Sequence, residues 1–168
     1  MATIYDSLTA EQVALIAESP LFFIASADPD LTPTPAGLGP VNLSPKGGVP
    51  LHVIGPNQVA FLDYPGSGNE TARHAAEGAP VTVMVCSFAS DDAGIVRLYG
   101  KASVMTLDDC PFASTVIAAP AAELTSRPRQ VISIDIEHTQ TSCGYGVPVL
   151  KHDRDRRNVD RGRRFKDT

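Results

Sequence analysis

The apolar segments of this 168-residue chain are short and closely spaced, and this spacing constrains the fold more than any other feature. Six or seven strand-sized segments alternate with connections that are mostly the length of a turn, and the helical segments between them are short. A parallel pair needs a crossover of about a dozen residues or more, so we expect mainly antiparallel pairing. The pattern predicts a mainly β domain, a small closed or split barrel with short α-helices at its margins.

A lysine-containing loop joins two of the predicted strands. The strands are Pro40–Ser44 and Val49–Ile54, and the loop between them is Pro45-Lys46-Gly47-Gly48. Glycine and proline at these positions indicate a tight connection, so we predict a hairpin-like pair with Lys46 at its tip.

A glycine-rich turn runs directly into a predicted helix further along the chain. The helix is expected over Gly68–Glu77, because Ser67 and Glu70 have capping-box spacing and Gly78 is a typical C-terminal stop. Two other helices are predicted. One covers Thr9–Glu18, with Thr9 as its N-cap and Pro20 ending it, and the other covers Leu107–Leu124, interrupted at its two prolines.

The C-terminal part of the chain divides into a strand and a charged tail. Isoleucines at alternate positions predict a long half-buried strand over Gln130–His138. We therefore expect one domain over residues 1–150 and a basic tail over residues 151–168.

Composition excludes several classes of protein. The longest apolar runs are far too short to cross a bilayer, and the N-terminus has no basic segment followed by an apolar one, which predicts a cytoplasmic protein without a membrane partner. Three widely separated cysteines and four histidines show no ligand spacing, so no metal site is expected. Cys86 lies in an apolar strand and is expected to be buried.

Charge is distributed unevenly along the chain. The tail carries a formal charge of +4 and residues 1–150 carry −9, within a net charge of −5. So acidic a body opposes nucleic-acid binding, which depends on many phosphate contacts. A phosphate bound by the body must use backbone amides or one of six cations, namely Lys46, Arg73, Arg97, Lys101, Arg127 and Arg129.

Two motifs are suited to hold a phosphate. Lys46 supplies a cation near a strand end, and Gly66–Thr71 leads into a helix whose first amides have no partner within the helix. Each motif alone has an ordinary structural interpretation, as a solvated loop lysine and as a tight strand-to-helix connection. Together they indicate a cofactor site without naming the cofactor.

A third motif, Gln140–Pro148, combines small hydroxylated residues, glycines and an aromatic, and could line a planar ligand. The alternative is that Cys143 is a nucleophile, but the motif contains no basic partner that would activate its thiol.

In these segments the chain closely resembles the pyridoxamine 5′-phosphate oxidase-like family of flavin-binding split-barrel proteins, from about Leu21 to Val147. The segments that carry the resemblance are Phe22-Phe23-Ile24-Ala25, Asn42-Leu43-Ser44-Pro45-Lys46-Gly47, Tyr64-Pro65-Gly66-Ser67-Gly68-Asn69-Glu70-Thr71, Arg97-Leu98-Tyr99-Gly100 and Gln140-Thr141-Ser142-Cys143-Gly144-Tyr145-Gly146-Val147-Pro148.

The resemblance implies a six-stranded antiparallel split barrel that forms a homodimer, with FMN held at the subunit interface. At the phosphate-binding turn of the true oxidase, which has an Arg-Lys pair, this chain has Glu70 and Thr71. The cofactor-binding residues implied are Asn42, Leu43, Ser44, Lys46, Asp63, Gly68, Asn69, Glu70, Thr71, Ser142, Cys143, Gly144 and Tyr145.

The preferred function is an FMN-dependent oxidoreductase with an unassigned small-molecule substrate, and no residue is identified as catalytic. One alternative is a flavin- or haem-binding module without turnover, for which His74 and His138 are the candidate haem ligands. Another is a deazaflavin-dependent reductase on the same fold.

Overall fold

A computed structural model of the protein describes residues 2–33, 39–66, 68–118, 127–156 and 160. Within these ranges the chain forms eight strands and three short helices. The strands are β1 (Thr3–Tyr5), β2 (Leu21–Ala27), β3 (Val41–Gly47), β4 (His52–Gly55), β5 (Gln58–Asp63), β6 (Pro80–Cys86), β7 (Gly94–Met105) and β8 (Gln130–Cys143), and the helices are α1 (Ala10–Glu18), α2 (Glu70–Ala76) and α3 (Ala113–Ala118).

All eight strands belong to one sheet and pair antiparallel. The order is β3-β2-β6-β7-β8-β5-β4, and β1 pairs with the far end of β8. The mainly β, antiparallel prediction is confirmed. The predicted strand number of six is wrong, since the described residues form eight. The sheet is also not closed, because no ladder joins β3 to β4 within the described ranges.

The predicted hairpin around Lys46 is also wrong. β3 pairs with β2 and β4 pairs with β5, which places these consecutive strands at opposite edges of the sheet. A five-residue step from Gly47 to His52 spans at most about 18 Å. Seven strands laid flat would separate the two edges by roughly 29 Å. The sheet must therefore curl until its edges come near each other, as in a barrel that is left open.

The interior of the curled sheet contains the main core. Phe22 and Ile24 of β2 point inward at alternate positions, and the Phe22 ring meets Phe61 edge to face at 5.1 Å between centroids. β5 is buried on both faces, because its Ala60 and Leu62 pack in a second cluster with Val116 of α3. The core thus surrounds β5 and leaves β3 at the rim.

Helix α1 begins and ends as its sequence predicts. Thr9 is the N-cap, and its side chain and that of Gln12 form a reciprocal capping box. Gln12 is also buried and donates from Nε2 to Thr141 Oγ1 of β8 at 3.0 Å, which ties the helix to the sheet.

The other two helices are shorter than predicted. α2 begins after its N-cap residue Asn69, which makes no side-chain capping bond, and the predicted capping residue Ser67 lies outside the described residues. Gly78 follows the helix with a φ of 72°, as expected of a C-terminal stop. The helix predicted over Leu107–Leu124 is described only as α3, after the first proline, and residues 119–126 lie outside the described ranges.

Strand β8 continues five residues beyond its predicted end at His138 and reaches Cys143, paired with β7 for most of its length. Cys86 is buried as predicted. No helix among the described residues is long and apolar enough to cross a membrane.

Candidate functional site

The inward face of β3 carries polar side chains instead of core residues. Asn42, Ser44 and Lys46 are half-buried, and they alternate with exposed neighbours. Lys46 stands directly across from Phe22 of β2, and its Nζ lies 5.7 Å from the centroid of the Phe61 ring. The rim of the core is therefore polar and positively charged on this side.

These side chains open into a cleft of about 510 Å³ between β3, β5 and the start of α2. Its volume lies in the range typical of small-molecule sites. The cleft is lined by Gly39, Val41, Asn42, Ser44, Pro45, Lys46, Asp63, Tyr64, Gly66, Gly68, Asn69, Glu70, Thr71, Ala72, Arg129 and Ile132.

Asp63, at the end of β5, is the centre of an ion-pair cluster in this cleft. Its Oδ2 accepts hydrogen bonds from Arg129 Nη2 at 2.6 Å, Arg129 Nε at 3.2 Å and Gln130 Nε2 at 2.8 Å. Its Oδ1 lies 3.5 Å from Lys46 Nζ. Two cations share one carboxylate, so the three charged groups together keep one positive charge.

The three charged residues of this cluster differ in how far their side chains are exposed. The Asp63 side chain is 5% exposed, whereas those of Lys46 and Arg129 are 25% and 30% exposed. The carboxylate therefore lies behind the two cations, which face the cleft and solvent.

A second set of contacts joins β3 to α2. Asn42 Nδ2 donates to Thr71 Oγ1 at 3.1 Å and to Ser44 Oγ at 3.2 Å. Thr71 is itself buried. These bonds hold polar groups of the strand and of the helix on one wall of the cleft.

Glu70 brings a negative charge into the same space. Its carboxylate lies over Gly68, and a Cβ on Gly68 would collide with it. The glycine thus provides the room that the carboxylate occupies. An anion bound at this end of the cleft would be repelled by Glu70.

Among the predicted site residues of β3, Leu43 is the one that does not line the cleft. It lies on the opposite, outward face and is 66% exposed. Its place in the cofactor site stays a prediction, and within one protomer it has no route to the cleft.

The predicted residues 142–145 lie apart from the cleft, at the far end of β8. Ser142 Oγ accepts from Arg97 Nη1 at 3.1 Å, Cys143 is exposed, and Tyr145 is 88% exposed. Gly144 is packed so closely on Gly94 that a Cβ would lie 2.6 Å from its nitrogen. A role of these residues at the cofactor would require a second subunit, and it stays a prediction.

Sequence reasoning does not identify Arg129 and Gln130 as site residues. Arg129 is one of the six cations of the acidic body, and the sequence contains no other signal for it. Its partner Asp63 is 66 residues away, and only the pairing of β5 with β8 brings them together.

The two histidines considered as haem ligands are both engaged elsewhere. His74 is 1% exposed, and its Nδ1 lies 2.9 Å from Ser26 Oγ, while His138 stacks on Tyr99 at 4.9 Å between ring centroids. Neither lines the cleft. Burial also raises the pKa of the Cys86 thiol, which makes that cysteine a poor nucleophile.

Comparison with known proteins identifies the family to which this open, curled sheet and its cleft belong. The family model described as pyridoxamine 5′-phosphate oxidase matches residues 8–143. The pyridoxamine 5′-phosphate oxidase family protein ustO of Aspergillus flavus is 37% identical over 153 residues, which are 89% of this chain and 57% of that protein. The chain thus spans little more than half the length of this relative. It belongs to the pyridoxamine 5′-phosphate oxidase family.

Solved structures agree on the fold. A Lactobacillus delbrueckii protein assigned provisionally as a pyridoxamine 5′-phosphate oxidase has a TM-score of 0.56 at 24% identity, covering 80% of this chain and 94% of its own. The FAD and heme binding protein of Mycobacterium smegmatis has a TM-score of 0.50 at 17% identity, covering 89% and 78%. At these identities the similarity establishes the architecture alone.

Proposed function

We propose that this protein is a flavin-binding oxidoreductase that holds FMN in the cleft between β3, β5 and α2. The observation that carries the proposal is the pair of cations, Lys46 and Arg129, presented to the cleft by one buried carboxylate. Membership of the family supports a flavin, and the similar protein of Mycobacterium smegmatis binds FAD.

The residues of the cleft fit an FMN phosphate in charge and in donors. Lys46 and Arg129 supply charged donors, and Asn42, Ser44 and Thr71 supply neutral polar groups in the same cleft. The Glu70 carboxylate opposes the fit, so we expect FMN binding to be weaker than two free cations would give.

Flavins supply hydride transfer when they are bound, and the protein contributes binding, orientation and electrostatics. In this proposal Lys46 and Arg129 bind the anionic end of the cofactor. The wall formed by Asn42 and Thr71 orients it. No side chain of the cleft is assigned a proton-transfer role, and the substrate is a small molecule of unassigned class.

We also propose that the active form is a homodimer that uses the outward face of β3, β2 and β6. Leu43 is exposed on the same face as Phe23 and Met84, which pair across β2 and β6 and are only half-buried. An apolar strip on the outside of a sheet is typical of a surface that another protein covers. A second copy seated there could bring its residues 142–145 toward the cleft.

Titration of the purified, flavin-free protein with FMN, followed by quenching of flavin fluorescence, tests the cofactor. We expect saturable binding by the wild type. Lys46→Ala should weaken binding at least tenfold, because a charge-assisted contact contributes ~1.5–3 kcal/mol.

The matched control is Lys101→Ala, which removes an exposed lysine of β7 and should leave the affinity unchanged. Equal affinity of Lys46→Ala and wild type would remove Lys46 from the site. No binding of FMN by the wild type would refute the proposal. Tighter binding of a deazaflavin than of FMN in the same titration would favour the reductase alternative.

A further inference from the structure

We infer that Asp63 is a positioning residue for the anionic end of the ligand: it holds Lys46 and Arg129 side by side at the edge of the cleft. The inference rests on the proposed function of the same cleft. The inference gives Asp63 a role in binding, although the negative charge of its carboxylate by itself weakens the attraction of the cleft for an anion.

Each carboxylate oxygen of Asp63 contacts a different cation. Oδ2 receives both Nε and Nη2 of Arg129, which fixes the plane of the guanidinium. Oδ1 faces Lys46 Nζ at 3.5 Å, beyond the length of a charge-assisted hydrogen bond. The lysine is therefore attracted toward Asp63 without committing its donors to it.

Donors remain available on both cations. An arginine has five N–H groups, and Arg129 makes side-chain hydrogen bonds only from Nε and Nη2 in the described part of the chain. The Nη1 hydrogens and the ammonium of Lys46 can thus be donated to a ligand while Asp63 is still bound. This arrangement is expected of a carboxylate that orients two cations and leaves some of their hydrogen-bond donors available to a ligand.

Asp63 also reaches the helix side of the cleft through one neighbour. Gln130 Nε2 donates to Asp63 Oδ2 at 2.8 Å and contacts Asn69 Oδ1 at 3.3 Å. Asn69 immediately precedes α2. One carboxylate is therefore linked to β3, to the start of β8 and to the start of α2, and these segments line the cleft together with the end of β5.

The test compares FMN with riboflavin, which has the same ring system and no phosphate, in wild type and Asp63→Asn. We expect Asp63→Asn to weaken FMN binding about tenfold although it makes the cleft more positive. Riboflavin binding should change by less than about twofold, since riboflavin lacks the group that the cations receive. Asp91→Asn, an exposed loop carboxylate, is the matched control.

Three results would overturn the assignment or its basis. Tighter FMN binding by Asp63→Asn would make Asp63 a competing anion. Equal losses for FMN and riboflavin would make its role structural. Failure of the wild type to bind either flavin would instead refute the proposed function, and this inference with it.

A second variant keeps the test decisive if Asp63→Asn does not fold, which its thermal unfolding would reveal. Asp63→Glu retains the charge and displaces the carboxylate by one methylene. We expect a loss of FMN affinity of about threefold with riboflavin affinity unchanged. If Asp63→Glu binds FMN as tightly as the wild type, the position of the carboxylate does not matter and the assigned role of Asp63 is wrong.

Discussion

The two faces of β3 differ in chemistry, and the difference is the reverse of an ordinary edge strand. Antiparallel strands at the rim of a sheet usually direct apolar residues inward and polar residues outward. Here Asn42, Ser44 and Lys46 are on the inward side, while Leu43 and Val41 are exposed at 66% and 65%. The reversal explains why the core ends one strand before the edge of the sheet.

This reversal indicates that the side chains of β3 serve the binding of a ligand and of a second subunit more than the packing of the core. Inward polarity lines a cleft in which two cations face solvent, and outward apolarity leaves a surface that water solvates poorly. The first property supports the cofactor proposal and the second supports the homodimer. Because the two sets of side chains alternate along the strand, each can be substituted without altering the other.

The largest effect should come from the outward face. In a two-fold dimer each substitution counts twice, so Leu43→Asp should cost about 3 kcal/mol or more and raise the dimer dissociation constant roughly a hundredfold. Analytical ultracentrifugation over a range of concentrations measures it. Ile117→Asp, at an exposed residue of α3, is the control. A dimer of unchanged stability in Leu43→Asp would place the interface elsewhere.

Thr71→Val on the inward wall should have a smaller effect. It removes the oxygen that accepts from Asn42 Nδ2 and keeps the side-chain shape. A neutral hydrogen bond contributes ~0.5–1.5 kcal/mol, so we expect FMN affinity to fall about threefold with the dimer unaffected. Fluorescence titration measures the loss, and Thr115→Val, at an exposed residue of α3, provides the reference. A loss of FMN affinity as large as that of Lys46→Ala would contradict the claim that the two cations contribute most to FMN binding.

Glu70→Gln should change FMN affinity in the opposite direction. Its carboxylate lies over Gly68 in the cleft, so removing the charge should tighten FMN binding by about two- to threefold. Riboflavin should bind with unchanged affinity, and added salt should reduce the difference. Glu77→Gln, at the exposed end of α2, is the control. Weaker FMN binding by Glu70→Gln would show that the carboxylate contributes to the site.

The comparison of the faces also separates what the sequence could predict from what it could not. The N-cap at Thr9 and the stop at Gly78 are local, and both are found where the sequence predicts them. The prediction of a β3–β4 hairpin was wrong because strand pairing depends on contacts between segments that are distant in the chain. For the same reason the sequence did not reveal that Arg129 and Lys46 share Asp63: three segments far apart in the chain meet there only in the folded sheet.

The smallest effect should come from the other edge strand, β4, none of whose residues lines the cleft. Burial lowers the pKa of His52 below 6.5, and its Nε2 is enclosed without a hydrogen-bond partner among the described residues. Below its unfolded pKa the unfolded chain binds the proton more readily than the folded one. The stability that His52 contributes is therefore present above about pH 6.5 and lost as the pH falls through the folded pKa.

We accordingly expect the wild-type Tm to fall more between about pH 7.5 and 5 than the Tm of His52→Gln. His152→Gln is the matched control, because its imidazole lies on the surface, 3.3 Å from Asp155. FMN affinity should be the same for His52→Gln and wild type at each pH, since His52 does not line the cleft. Parallel Tm profiles would mean that His52 is solvated in the folded state. A pH-dependent change in FMN affinity confined to His52→Gln would mean that protonation at β4 affects the cleft, although His52 does not line it.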